Sequence, residues 1–157
     1  MKAKSIFLTS LILSTLLVGC QNPPKIDLQA ELQKRPETTL SWEGEDRAPS
    51  ITGGFCSDVL CLDSGDPDWS ALNFTSYNST LPLTLTVNST LSINELTISL
   101  KNTDGNTIQN NLDTTEISPK TYQITEAFKH RGQLILSAKI HFTEGGYVQD
   151  YFPLEVE

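Results

Sequence analysis

Apolar side chains recur at every second position in several stretches of this chain, and that spacing constrains the fold more than any other feature. The clearest stretch is residues 80–88, TLPLTLTVN, in which a leucine or valine alternates with a polar residue. Because successive side chains of a strand point to opposite faces, the pattern predicts a half-buried β-strand. Pro82 has no N–H to donate to a ladder, so it favours a sheet edge or the start of that strand.

The alternation continues through the second half of the chain. Residues 91–101 alternate with a slip of one position at Asn94–Glu95, which predicts a bulge or a strand boundary. Residues 133–142 and 147–156 alternate on either side of a Glu-Gly-Gly turn and predict a terminal hairpin. Weaker signals predict short strands at 38–42, 51–56, 59–63, 72–75 and 122–125, and one or two helical turns at 126–130.

Seven or eight short strands with turn signals between them predict an all-β fold, a single antiparallel β-sandwich of residues 38–157. The end of the chain resembles the last strands of many extracellular immunoglobulin-like modules, with Gly132 opening one strand and Tyr151-Phe152 inside the next. The Cys…Trp…Cys core of antibody domains is absent. The resemblance therefore implies an immunoglobulin-like architecture and no function.

The first residues of the chain have the features of an export signal. Lys2 and Lys4 precede an apolar run over residues 6–18, which is shorter than the roughly 20 apolar residues that a membrane-spanning helix needs. A short positive segment followed by a short apolar segment is typical of a secretory signal peptide, here residues 1–19.

The apolar run ends in Leu17-Val18-Gly19-Cys20, which resembles the lipobox of bacterial lipoproteins. The resemblance implies that Cys20 receives a diacylglyceryl group, with palmitate among the acyl chains, and that cleavage before it makes Cys20 the first mature residue. An ordinary secretory signal that contains a cysteine is the alternative. Because two acyl chains suffice for stable anchoring, we expect a lipid-anchored protein on the extracytoplasmic side of the cell membrane, with no further cofactor.

The charge balance excludes one class of partner and supports the anchor. With 11 Lys+Arg and 19 Asp+Glu the net charge is −8, and without residues 1–19 it becomes −10. Nucleic-acid binding would need a basic patch, so no nucleic-acid partner is expected. An acidic protein is not attracted to anionic lipid, so the acyl chains would hold it on the membrane. Residues 20–37 are polar and contain three prolines, which predicts a flexible tether.

Cys56 and Cys61 are the cysteines that remain when Cys20 is lipidated. Export favours a disulfide between them, closing a small hairpin loop, although a redox or metal pair is the alternative. The segment Gly54-Phe-Cys…Cys-Leu-Asp63 also loosely resembles uncharacterised small cell-surface lipoproteins of Gram-positive bacteria. That resemblance covers about ten residues and implies no function.

Acidic residues cluster between the second cysteine and the second tryptophan of the domain over residues 38–157. Asp63, Asp66 and Asp68, with Asp58 nearby, lie in a Gly/Pro loop that ends at Trp69. Calcium takes several oxygen ligands from such loops, which makes these aspartates a weak calcium candidate. Their spacing does not follow the EF-hand pattern, and a solvated acidic turn is the alternative.

Motifs of nucleophilic or zinc-dependent catalysis are absent from the sequence: it has no Gly-x-Ser-x-Gly, Ser-x-x-Lys or His-Glu-x-x-His. We therefore expect a non-enzymatic binding module of the cell envelope, whose partner is an envelope protein or ligand. The alternative is an envelope hydrolase acting on glycan or peptide, with carboxylates such as Asp63, Asp66 or Glu126 as acid and base.

Overall fold

The computed structural model describes residues 27, 34–42, 46–63, 65, 67–125 and 128–157. The described residues form an almost purely β structure with one 3-10 turn at Trp69–Ala71. The twelve strands in this part of the chain are β1 Glu37–Trp42, β2 Asp46–Ala48, β3 Ile51–Cys56, β4 Cys61–Asp63, β5 Thr75–Tyr77, β6 Leu83–Asn88, β7 Ile93–Lys101, β8 Thr107–Gln109, β9 Thr114–Ser118, β10 Thr121–Ile124, β11 Gly132–Phe142 and β12 Tyr147–Val156.

The strands form two sheets. The first sheet has the order β2-β1-β6-β10-β9, and the second has the order β4-β3-β12-β11-β7-β8, with β5 also pairing with β12. Every pairing is antiparallel except that between β5 and β12. The orders β1-β6-β10-β9 and β7-β11-β12 are those of strands A-B-E-D and C-F-G in constant-type immunoglobulin sandwiches. The predicted all-β sandwich is confirmed, and strands β2 to β5 are inserted between the strands that correspond to A and B.

The predicted number of strands was too low. The prediction missed β2, β5, β8 and β9, and the strand predicted at 72–75 is wrong because the strand there begins only at Thr75. Three of the four missed strands have three residues, which is too few to show a period of two. The fourth, β9, is exposed along most of its length and so carries no alternation.

Two local predictions can be compared with the structure directly. The register between β7 and β11 shifts so that Glu95 faces His141 and Ile93 faces Phe142, leaving Asn94 as the extra residue of a bulge. The slip in the apolar pattern at Asn94–Glu95 therefore predicted the bulge correctly. The helical turn predicted at 126–130 lies partly outside the described residues, and residues 128–130 contain no helix.

The core lies between the two sheets and is built from the apolar positions of the alternating strands. In β6, the side chains of Leu83, Leu85 and Val87 are buried, whereas Thr84 and Thr86 between them are partly exposed. The second sheet contributes the corresponding positions of β7, β11 and β12. Phe152 is the largest side chain that is completely buried, and its strand neighbour on β11 is Leu136.

One charged group is buried within this apolar layer. Asp150 lies on β12 between the inward-facing Val148 and Phe152, and its side chain has no exposed surface. Its carboxylate forms an ion pair with the guanidinium of Arg35, which we call the entry ion pair, and accepts a hydrogen bond from the hydroxyl of Thr38. Arg35 was predicted to lie in the tether. The structure places it in the fold, because its charge satisfies a buried carboxylate.

The two ends of the sandwich hold different strand connections. The chain enters β1 at Glu37, opposite Asn88 at the end of β6, and the connections β6–β7 and β11–β12 lie at this same end. We call it the entry end. The opposite, distal end holds the connections β5–β6 and β10–β11 and the last residues of β12.

The turn between β11 and β12 approaches β3 closely at the entry end, and substitution of its glycines tests this approach. Gly145 and Gly146 both have positive φ, 97° and 84°, but only a side chain at Gly146 would overlap another atom, the carbonyl oxygen of Cys56. Alanine at either position costs about 1–2 kcal/mol for the left-handed backbone. We expect Gly146→Ala to cost clearly more than the matched control Gly145→Ala in urea unfolding. Equal losses would contradict the close approach of the turn to β3.

Candidate functional site

The predicted cysteine pair joins the two strands of a small hairpin. Cys56 ends β3 and Cys61 begins β4, and the two residues face each other directly in the antiparallel ladder. Their sulfur atoms lie at bonding distance, 2.05 Å, and the turn between them is closed by a hydrogen bond from the Ser57 N–H to the Leu60 carbonyl oxygen, 2.7 Å long. The disulfide therefore staples the outermost hairpin of the second sheet.

Because this disulfide closes a loop with a sequence separation of only five residues, its effect on stability should be modest. We expect the double variant Cys56→Ser/Cys61→Ser to lose less than the roughly 3 kcal/mol that a 15-residue loop provides. Chemical denaturation of the oxidised wild type and the double variant measures this loss. A variant that no longer folds would contradict a purely local role for the disulfide.

The connection from β4 to β5 covers the outer face of the second sheet. Trp69 packs edge-on against Tyr151 of β12, with the ring centroids 5.1 Å apart, and the ammonium of Lys101 lies 5.4 Å from the Trp69 ring. Beneath this cover, Ile135 and Ser137 of β11 are buried although they face away from the core between the sheets. The connection thus gives the second sheet a second buried face.

The acidic loop of the sequence is part of this connection. Asp68 accepts hydrogen bonds from the Ser70 N–H, 3.1 Å, and from the Ser70 hydroxyl, 2.6 Å, and so caps the 3-10 turn that carries Trp69. The hydroxyl and then the N–H of Ser70 lower the pKa of Asp68. Asp63 accepts a hydrogen bond from the Gly65 N–H, 2.9 Å. Each of these carboxylates therefore holds the local backbone.

The structure describes three of the four aspartates of the predicted calcium site. Asp58 lies in the β3–β4 turn, Asp63 and Asp68 lie in the β4–β5 connection, and Asp66 lies outside the described residues. Among the residues that are described, no group of three or more His, Cys, Asp or Glu side chains could hold a metal ion. Calcium binding by this loop stays a prediction.

A pocket of about 660 Å³ opens at the entry end. Its lining combines charges of both signs, with Lys34 and Arg35 from the segment before β1, Asp58 from the disulfide hairpin and Glu144 from the β11–β12 turn. Glu144 accepts hydrogen bonds from the Ser92 N–H, which lower its pKa. Arg35 and Glu144 are therefore already paired with other groups of the protein.

A smaller pocket of about 370 Å³ lies at the distal end, and we call it the distal pocket. The described side chains that line it are all uncharged and fall into aromatic, aliphatic and hydroxyl or amide groups. They are Tyr77, Ser79, Thr80, Leu81, Pro82, Leu83, Gln123, Ile124, Thr125 and Phe128. No sequence motif marks this set, because its members are scattered over three segments of the chain.

An uncharged polar surface adjoins the distal pocket. Along the outer face of the first sheet, strands β1, β6 and β10 align partly exposed side chains in two rows, and Gln123 belongs both to one row and to the pocket. The rows are Thr39, Thr86 and Thr121, and Ser41, Thr84 and Gln123. These two rows on β1, β6 and β10 therefore offer hydroxyl and amide groups without charge.

Several predicted residues lie where the structure gives no description. Leu17, Val18, Gly19 and Cys20 of the lipobox, and Asp66 and Glu126 of the proposed hydrolytic carboxylates, are outside the described residues. Of the carboxylates that are described, Asp150 is the one whose pKa is raised, chiefly by burial, and it is paired with Arg35. In the same described part of the chain, no helix combines the length and the apolar character needed to cross a membrane.

Comparison with known proteins adds no relative. No family model, no curated protein and no solved structure matches this chain.

Proposed function

We propose that this chain is a lipoprotein of the cell envelope, held on the extracytoplasmic side of a membrane by an acylated Cys20. Its sandwich acts as a non-enzymatic binding domain. The proposal rests on the sequence Leu-Val-Gly-Cys at the end of a short apolar run, and on the position at which the chain enters the fold.

The position at which the chain enters the sandwich is the structural observation that best supports the proposal. The ion pair of Arg35 with Asp150 fixes the chain to the entry end, directly after the segment that leads back to Cys20. An anchor attached there leaves the distal end and its uncharged pocket facing away from the attachment point. A domain that presents one end in this way is suited to binding a ligand or partner at some distance from the membrane.

The alternative function, a hydrolase that uses paired carboxylates, gains no support from the described residues. Asp63 holds the Gly65 N–H, and the buried Asp150 is neutralised by Arg35. General acid catalysis needs a carboxyl that reaches the substrate, which a completely buried residue does not.

The test is chemical crosslinking in native membranes with the full-length protein as bait, and with Cys20→Ala as the matched control. We expect membrane association in the wild type, loss of that association in Cys20→Ala, and one dominant crosslinked envelope component. Membrane association that persists in Cys20→Ala would contradict the anchor. A correctly anchored bait that neither crosslinks to an envelope component nor binds an added ligand would contradict the binding role.

A further inference from the structure

The distal pocket combines an aromatic wall with a rim of uncharged polar groups. The rings of Tyr77 and Phe128 lie against each other with centroids 5.7 Å apart and an interplanar angle of 59°. Tyr77 is nearly buried and its hydroxyl donates to the Leu81 carbonyl oxygen, 2.7 Å away, so this residue offers the pocket its ring. The face of an aromatic ring carries partial negative charge, which attracts the weakly positive C–H groups of a ligand.

The three hydroxyl groups at the rim of the pocket, those of Ser79, Thr80 and Thr125, already donate hydrogen bonds to other oxygen atoms of the protein. Ser79 donates to the backbone oxygen of Glu157, 2.8 Å away, and Thr80 donates to the side-chain oxygen of Asn78, also 2.8 Å away. Thr125 donates to the Asp113 carbonyl oxygen at 3.2 Å. A hydroxyl whose proton is engaged can still accept a hydrogen bond, so these three groups favour a ligand that donates.

Gln123 adds the one amide of the lining. Within the described part of the chain its side chain forms no hydrogen bond, so both its N–H₂ donors and its oxygen acceptor are available. No ionised side chain belongs to the described lining of the pocket, and the charge of Arg131 acts on Tyr77 from outside that lining. The pocket thus matches an uncharged ligand that is rich in hydroxyl donors and also has an apolar C–H face.

We propose that the distal pocket binds a neutral saccharide unit, one or two sugar rings in size. Hydroxyl groups of the sugar donate to the rim and pair with Gln123, while its C–H face packs on the exposed part of Phe128. The volume of about 370 Å³ lies at the small end of the usual range of roughly 300–1,000 Å³ for small-molecule pockets. The two uncharged rows on β1, β6 and β10 give room for a longer glycan to continue beyond the pocket. This assignment rests on the proposed function as an envelope binding domain and names its ligand class.

The test is titration of the full-length protein in detergent with cellobiose, maltose and di-N-acetylchitobiose, followed by saturation-transfer NMR and tryptophan fluorescence. Trp42 lies 5.2 Å from Tyr77, centroid to centroid, and so reports on the pocket. We expect saturable binding of at least one of these neutral sugars. Glucuronate and inorganic phosphate, as charged probes, should bind at least about tenfold more weakly.

Two variants separate the pocket from the rest of the surface. Gln123→Ala and Phe128→Ala should each weaken sugar binding about tenfold, whereas Ile117→Ala, at an exposed residue of β9, should leave it unchanged. Because Phe128 also packs against the core, Gln123→Ala keeps the test valid if Phe128→Ala unfolds. No saturable binding of any neutral sugar, equal binding of the charged probes, or binding unchanged in Gln123→Ala would overturn the assignment.

Failure of the saccharide assignment can be distinguished from failure of the proposed function. If the crosslinking experiment yields an anchored complex while no sugar binds, the binding role stands and the saccharide assignment is wrong. If neither experiment yields a ligand, both proposals are wrong.

Discussion

Replacement of Arg35 by methionine is expected to lower the free energy of unfolding by about 3–5 kcal/mol at neutral pH. The substitution keeps much of the aliphatic side chain but leaves the carboxylate of Asp150 without its cation in a completely buried position. Removing one partner of a buried ion pair is costly because the remaining charge is neither paired nor hydrated. Urea unfolding measured at pH 7 checks this loss.

The pH dependence of this loss follows from the buried carboxyl. Burial raises the pKa of Asp150, while the Thr38 hydroxyl and the Arg35 guanidinium act in the opposite direction. A carboxyl whose pKa is raised by folding contributes its stability fully below its unfolded pKa of about 4, and that contribution is lost as the pH rises through the folded pKa. Without Arg35 the pKa rises further. The difference in stability between wild type and Arg35→Met should therefore shrink as the pH is lowered from about 7 to about 4.

Two controls make this result specific. Arg131→Met makes the same chemical change at an exposed arginine and should alter the free energy of unfolding by no more than about 0.5 kcal/mol. The double variant Arg35→Met/Asp150→Leu removes both charges and should return to within about 1–2 kcal/mol of wild type, because apolar replacement of a buried pair is often neutral. A loss in Arg35→Met no larger than in Arg131→Met would show that the carboxylate is hydrated in the folded protein.

Phe152→Ala is the second substitution with a large expected effect, a loss of about 3–5 kcal/mol. Phe152 is completely buried on β12 in the core between the two sheets. Truncation removes apolar contacts and leaves a cavity, because the paired strands on both sides of β12 limit how far the core can collapse.

The matched control for the core substitution is Ile117→Ala on β9. Ile117 is 55% exposed, so its truncation should change the free energy of unfolding by less than about 0.5 kcal/mol. Thermal or urea unfolding of both variants tests the comparison. A loss below about 1 kcal/mol in Phe152→Ala would contradict its place in a rigid core.

The sequence predicted the parts of the fold that alternation can reveal. Strands β6, β7, β11 and β12 each turn one face to the core between the sheets, so apolar residues repeat at every second position there, and a bulge interrupts that repeat visibly at Asn94. The short strands at the sheet edges bury little and have no such signal. Their pairing depends on contacts with residues that are distant in the sequence, and a local pattern of apolar residues does not show such contacts.

The buried position of Asp150 could also have been predicted from the sequence. The alternation that places Val148 and Phe152 inward places Asp150 inward as well, and a buried carboxylate requires a partner. What the sequence does not specify is that partner, because Arg35 lies 115 positions away. The distal pocket was beyond prediction for the same reason, since Tyr77, Gln123 and Phe128 meet only through the sheet order.

If the proposed lipid anchor holds the chain at Cys20, the opposite placement of the entry end and the distal pocket sets how far from the membrane the protein can bind a ligand. Fourteen residues separate Cys20 from Arg35, and even a fully extended chain of that length spans no more than about 50 Å. The ten residues of β12 add roughly 33 Å from the entry end to the distal end. The proposed lipid on Cys20 would therefore confine the distal pocket to a shell about 80 Å deep, so the protein would meet only those ligands that lie close to its own membrane.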